Sequence, residues 1–241
     1  MATSDAADDD AALRAIRRQA LSIAVAVSPF GLAFGVACTE AGFGLGEALG
    51  FSALVFTGSA QFAAVRILAD GGTAIAAMAA AILLSLRSLA YGLVMAPALQ
   101  GPAWWRALVS QLMIDEAMAV GAAQRSRRLQ RAGFLWGGGA VFVLWNVSTV
   151  AGALLVSSAG DLVETLGMDA TIPAAFLALV WPRLADPRER RVAIGGAVIA
   201  LVLVPIAPAG VPILGATGAV LLAWTKPDVH VEPPPGEVGE R

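Results

Sequence analysis

Residues 132–160 read AGFLWGGGAVFVLWNVSTVAGALLVSSAG, with no charged side chain between Arg131 and Asp161. A helix rises ~1.5 Å per residue, so about 20 residues cross a ~30 Å hydrocarbon core, and this run exceeds that length. On either side, uncharged runs recur at Ala20 to Cys38, Ala48 to Val65 and Val192 to Thr225. Of the 241 residues 58% are hydrophobic and 14% charged, and the mean hydropathy is +0.74. Soluble domains carry roughly 45–50% apolar and 25% charged residues, so a water-soluble fold is excluded. The reading is an all-α, polytopic transmembrane helical bundle of about seven or eight membrane segments, some of them short or broken.

The expected segments are Ala20 to Cys38, Ala48 to Leu68, Thr73 to Pro97, Ala107 to Gln124, Gly133 to Ser158, Ala170 to Pro182 and Val192 to Trp224. The last divides into a hairpin, because Pro205, Pro208, Gly210 and Pro212 sit at its centre and a proline both lacks an N–H and clashes with the preceding turn. Ala170 to Pro182 and each arm of that hairpin are short enough to be re-entrant. With all of these segments taken as crossing and the hairpin counted as two, Arg14, Arg17, Arg18, Arg66, the cluster from Arg125 to Arg131, the cluster from Arg183 to Arg191 and Lys226 fall on one side, and Arg106 alone on the other. The positive-inside rule makes that basic side cytoplasmic, with both termini inside. The chain thus divides into an acidic then basic cytoplasmic tail (1–19), a transmembrane domain (20–225) and a disordered cytoplasmic tail (226–241).

Composition also excludes activities. The chain lacks a Walker P-loop, a His-Glu-x-x-His pair and a Gly-x-Ser-x-Gly elbow, and its single histidine, His230, lies in the proline-rich tail. An enzyme is not expected, nor a metal or other cofactor. The lone Cys38 rules out an intramolecular disulfide. The acidic start has no basic n-region, so the first apolar run reads as a retained span rather than a signal peptide.

Polar residues inside the apolar runs mark the candidate site. Arg87 lies near the middle of the third segment, Asp115 and Glu116 near the middle of the fourth. A charge at the bilayer centre costs ~2.5–3.5 kcal/mol on insertion scales, so these groups are expected to face the interior and pair. Adjacent helical positions point about 100° apart, so one acid can pair with Arg87 while the other remains free to titrate. Tyr91, four residues after Arg87, shares its face. The alternative is an ion pair that only fixes helix register.

Ser28-Pro29-Phe30-Gly31 predicts a local break in the first span that exposes carbonyls to a ligand; Gly31 with Gly35 equally fits plain helix packing. Gly58-Ser59-Ala60-Gln61-Phe62 places a hydroxyl and an amide at membrane depth, where each needs a partner. Asn146 reads as interhelical glue.

Taken in order, Ser28-Pro-Phe-Gly-Leu-Ala-Phe-Gly35, Phe56-Thr-Gly-Ser-Ala-Gln-Phe62, Leu86-Arg87 with Tyr91-Gly92, Asp115-Glu116 and Ile172-Pro-Ala-Ala-Phe176 resemble the AzlC family, the large subunits of bacterial branched-chain amino-acid exporters. The likeness extends from Arg17 to Trp224. It implies an inner-membrane permease working with a small AzlD-type membrane subunit. Together with the residue reading above it points to substrate contacts at Pro29, Phe30, Gly31, Gly58, Ser59, Gln61, Phe62, Arg87 and Tyr91, while proton coupling through Asp115 and Glu116 rests on their being carboxylates at membrane depth. The chain departs from the family pattern at Ser88, where histidine is usual, at Ser85, often Asn or Asp, and at Ile114, usually Thr. Asp115 and Glu116 are then the membrane-embedded carboxylates left for coupling. The competing reading is a non-transporting scaffold that stabilises another subunit.

Overall fold

The computed structural model describes residues 2–165, Leu177 and residues 180–224. The helices are α1 (Ala2–Glu40), α2 (Leu45–Leu54), α3 (Gly58–Ala69), α4 (Ala74–Ser85), α5 (Arg87–Met95), α6 (Ala103–Ser110), α7 (Asp115–Ala122), α8 (Arg127–Thr165), α9 (Pro187–Leu203) and α10 (Val211–Ala216). Two 3-10 segments, Trp181–Ala185 and Thr217–Trp224, flank the last hairpin. The protein is an all-helical membrane bundle. Its three longest apolar stretches, Asp9–Glu40, Ala74–Met95 and Arg127–Val156, are long enough to cross a bilayer. Leu21, Ile75, Ile82, Val147 and Leu201 stand exposed on the outside, where lipid would meet them.

α1 and α8 form the spine and run parallel. Asp9 pairs with Arg128, Arg17 stacks on Trp136 at 4.9 Å, and Gly31 lies against the Trp145 carbonyl. A Cβ on Gly35 would collide with the Thr149 carbonyl oxygen, and one on Gly152 with the carbonyl of Leu32. Only glycine lets the two backbones approach this closely. Contrary to the expected break, α1 continues through Pro29. A proline leaves the carbonyl four residues back without its helical donor. Here that carbonyl belongs to Val25, and the Ser28 hydroxyl donates to it at 2.8 Å, which removes the reason to unwind.

With α8 as a ruler, the paths of the short helices follow. Arg131, near the start of α8, stacks on Trp105 at 4.8 Å and donates to the Gln100 carbonyl at 3.5 Å. Higher up, Leu112 packs on Gly138, after which Ala117 lies against Gly137, Val120 against Gly133 and Gly121 against Phe134. The chain therefore climbs along α6, breaks at residues 111–114 and descends along α7. At the other end, Ser52 bonds to Thr149 and the Phe56 ring meets Phe142 at 4.9 Å, so α2 descends as it leaves the top of α1. α3 then climbs back to a turn containing Gly71 (φ +78°), and α4 and α5 descend together, bringing Met95 beside Gly121.

Ala48 to Leu68 and Ala107 to Gln124 are thus not crossings but re-entrant pairs, α2–α3 and α6–α7, which enter from opposite ends. Each breaks because its middle residues are extended: Thr57 has φ −152°, ψ 104° and Ile114 φ −120°, ψ 167°. The correction exchanges two basic residues. Arg106 shares the end of Arg17 and Arg128, while Arg66, paired with Asp70 at 2.9 Å, lies at the opposite end.

The final hairpin is as expected, with Gly196 against Ala216 and Gly215 against Leu203 across a turn at Gly210 (φ +95°). Most of Ala170 to Pro182, including the Ile172 to Phe176 motif, and the tail from residue 226 lie outside the described residues.

Candidate functional site

The two breaks meet near the level of Phe142, and their free ends are held by side chains. The last carbonyls of α2 lack intrahelical donors. Gln61 Nε2 donates to Ser52 O at 2.9 Å, and Gln111 Nε2 donates to Ala53 O at 2.6 Å and to Leu54 O at 3.2 Å. Gln111 belongs to the α6–α7 pair and so bonds the two re-entrant tips together. Ser52 and Thr149 are fully buried. Thr149 donates to Trp145 O, which leaves Ser52 as the donor to Thr149 at 3.3 Å.

α3 and α7 both begin at this level. Their first helical bonds are Gln61 N to Thr57 O and Met118 N to Ile114 O, each 3.0 Å. The backbone N–H groups of Gly58 to Ala60 and of Asp115 to Ala117 therefore point beyond the helix starts, where the macrodipole adds partial positive charge.

Between these starts stands Arg87, the first residue of α5. Its guanidinium pairs with Asp115 Oδ2 at 3.0 Å and donates to Ser59 Oγ at 3.2 Å. Tyr91, one turn on, donates its hydroxyl to Asp115 Oδ1 at 2.6 Å. One group thus spans both re-entrant pairs and the crossing helix between them. The Arg87 and Asp115 side chains are 42% and 41% exposed, so the pair is reachable by a solute rather than sealed in the core. Asp115 and Glu116 open a helix instead of lying mid-span, and the N-terminal dipole favours a carboxylate there by ~0.3–1 kcal/mol. Glu116 makes no ion pair among the described residues.

The structure brings together Ser59, Arg87, Tyr91 and Asp115. Gly58 lies beneath the Trp145 ring, and Phe62 packs on Phe34 (5.5 Å between centroids) and on Trp145 (6.5 Å), forming an aromatic wall beside them. Gln61 is fully buried, and its Oε1 has no partner among the described residues. Pro29 is exposed on α1, Phe30 packs on the core, and the space at Gly31 is taken by α8. Asn146 donates to Phe142 O within its own helix at 2.8 Å. Sequence reasoning missed Gln111 and Ser88, whose hydroxyl donates to Met113 O at 3.1 Å. A glutamine within an apolar run was the signal for the first; the second was marked only as a departure from the family pattern, without a role.

A family model described as AzlC protein matches residues 22–158, which hold both re-entrant pairs and most of α8. The chain belongs to the AzlC family. This family is associated with branched-chain amino-acid transport and is a membrane transport component rather than an enzyme family. Comparison with curated proteins and with solved structures returned no match. In this AzlC-family chain the family match ends before the last hairpin, so the site lies wholly inside it.

Proposed function

We propose that this chain is the large subunit of an inner-membrane permease that exports branched-chain or similarly apolar amino acids together with a small AzlD-type subunit. The observation that carries the reading is Arg87, held between two opposed helix N-termini and balanced by Asp115. Broken helices meeting at mid-depth are how transporters expose backbone dipoles to a polar ligand. A zwitterion fits this arrangement. Its carboxylate goes to Arg87 and the N–H groups at Gly58 and Ser59, its ammonium to Asp115 or Glu116, and its side chain to the wall of Phe62 and Trp145. Pro29, Phe30, Gly31 and Gln61 act behind this layer by shaping the α1–α3 wall.

The end carrying Arg17, Arg106, Arg128 and Arg188 is cytoplasmic under the positive-inside rule, with both termini on that side. Export against a gradient draws on the proton gradient. Asp115 is occupied by Arg87 and Tyr91, so Glu116 is the carboxylate free to exchange a proton.

The test is efflux of L-leucine from dipeptide-loaded proteoliposomes containing both subunits. Arg87→Gln is expected to abolish efflux while leaving the complex assembled, and Glu116→Gln to remove its dependence on the pH gradient. Normal efflux by Arg87→Gln would overturn the site. Loss of assembly in Arg87→Ala, with no solute moved by the wild-type complex, would favour the scaffold.

A further inference from the structure

A second feature lies on the other face of α5. A cleft of about 950 Å³ opens between α5 and α6, lined by Ser88, Gly92, Leu93, Arg106, Ser110 and Met113 among others. Its mouth, at Gln100 and Arg106, lies at the level of Arg131; its floor, at Met113, lies near the level of Gly138. The floor is closed by the bond from Ser88 Oγ to Met113 O, and directly behind it stand Arg87 and Asp115. The walls are mostly apolar. Arg106 is exposed and has no ion-pair partner among the described residues. An unpaired guanidinium over an apolar cleft of this size suits a small molecule with a carboxylate and a hydrocarbon body.

A repeat within the chain pairs this cleft with a like groove in the first part of the molecule. Gly31-Leu-Ala-Phe-Gly35 is echoed by Ser88-Leu-Ala-Tyr-Gly92, and the same separation carries Gly58, the start of α3, onto Asp115, the start of α7. α1 with α2–α3 and α5 with α6–α7 are therefore two like units of opposite direction, the inverted arrangement common to many transporter folds. The cleft residues Ser88, Gly92, Val109 and Met113 correspond to Gly31, Gly35, Ser52 and Phe56. In the first unit that groove is filled by α8: Gly31 and Gly35 touch its backbone, Ser52 bonds Thr149, and Phe56 meets Phe142. Among the described residues, no helix fills the groove at the basic end in that way.

We propose that the α5–α6 cleft is the access vestibule of the transport site, in which Arg106 captures the carboxylate of an apolar amino acid before the Ser88–Met113 bond opens. This rests on the permease reading above. It makes the conformation described here the one facing the end that carries Arg106.

The test uses the full chain in phosphatidylcholine nanodiscs, with Cys38→Ala and Ser110→Cys, and follows labelling by a charged methanethiosulfonate reagent. The thiol is expected to react, to be slowed several-fold by millimolar L-leucine, and to lose that protection when Arg106→Gln is added. Leu93→Cys serves in the same way should Ser110→Cys not fold. An unreactive thiol, or one indifferent to L-leucine, overturns the vestibule. Protection by phosphatidylglycerol in the disc and not by L-leucine also overturns it, because Arg106 then serves a lipid phosphate. L-leucine efflux measured on Arg87→Gln separates the two claims. If it falls while the thiol is unprotected, only the vestibule is lost; if it is unchanged, the site reading is lost and the vestibule with it.

Discussion

Removing Arg87 and Asp115 singly and together separates what holds the bundle from what moves the solute. An unpaired charge at membrane depth costs ~2.5–3.5 kcal/mol on insertion scales. About two fifths of each side chain is accessible here, so solvent screens the pair and the cost of orphaning either partner falls to roughly 1–2 kcal/mol. Arg87→Gln leaves Asp115 with the Tyr91 hydroxyl and the dipole of α7; Asp115→Asn leaves Arg87 with Ser59. The second loss is the larger, because a hydroxyl compensates a guanidinium less well than a helix N-terminus compensates a carboxylate. The double variant has no orphaned charge. Its loss of stability is expected to be smaller than the sum of the single losses by about 1 kcal/mol or more, as for other directly contacting pairs. Unfolding midpoints in mixed micelles read the stability arm and L-leucine efflux reads the other. Additive stability losses would show that the two charges are not coupled. Efflux regained in the double variant would show that the pair only sets helix register, and would refute its role as a substrate contact.

Gly35→Ala drives a methyl into the Thr149 carbonyl, and separating α1 from α8 is expected to cost at least the ~1–3 kcal/mol of an overpacked core, read as a lowered melting temperature. Gln111→Leu keeps the volume but orphans the carbonyls of Ala53 and Leu54; a loss of ~1–3 kcal/mol and faster hydrogen exchange at the end of α2 are expected, and unchanged exchange would refute the tip-to-tip bond. Tyr91→Phe removes one donor from Asp115 and is expected to reduce transport while sparing assembly, as seen by co-purification of the proposed small subunit. Cysteines placed at Ala103 and Ser126 should label from the same side of oriented vesicles, and one at Gly71 from the opposite side. Labelling of 103 and 126 from different sides would restore the simple crossing topology.

Several features were legible in residues alone. Uncharged runs define the membrane class, because hydrocarbon leaves no alternative to helices for satisfying the backbone. The turn of the last hairpin is announced by its prolines, and the partnership of Arg87 with one of Asp115 and Glu116 by the cost of leaving the charges alone in lipid. Motif order placed the chain in its family, and the family match confirms it.

Other features needed the tertiary structure. Hydropathy reports how apolar a stretch is but not its direction, so α2–α3 and α6–α7, each about as long as a crossing helix, were indistinguishable from one. What turns them back is contact elsewhere in the chain: Leu112 on Gly138, Ser52 on Thr149, and Gln111 tied to the end of α2. Pro29 predicts a break only if the Val25 carbonyl is left unsatisfied, and the Ser28 rotamer satisfies it. The sequence by itself determined that Arg87, Asp115 and Glu116 lie among apolar segments, because desolvation is a property of composition. Only the tertiary structure decided that Asp115 begins a helix, that Arg87 reaches two helix starts, and that one end of the molecule is open, because those depend on how backbones cross.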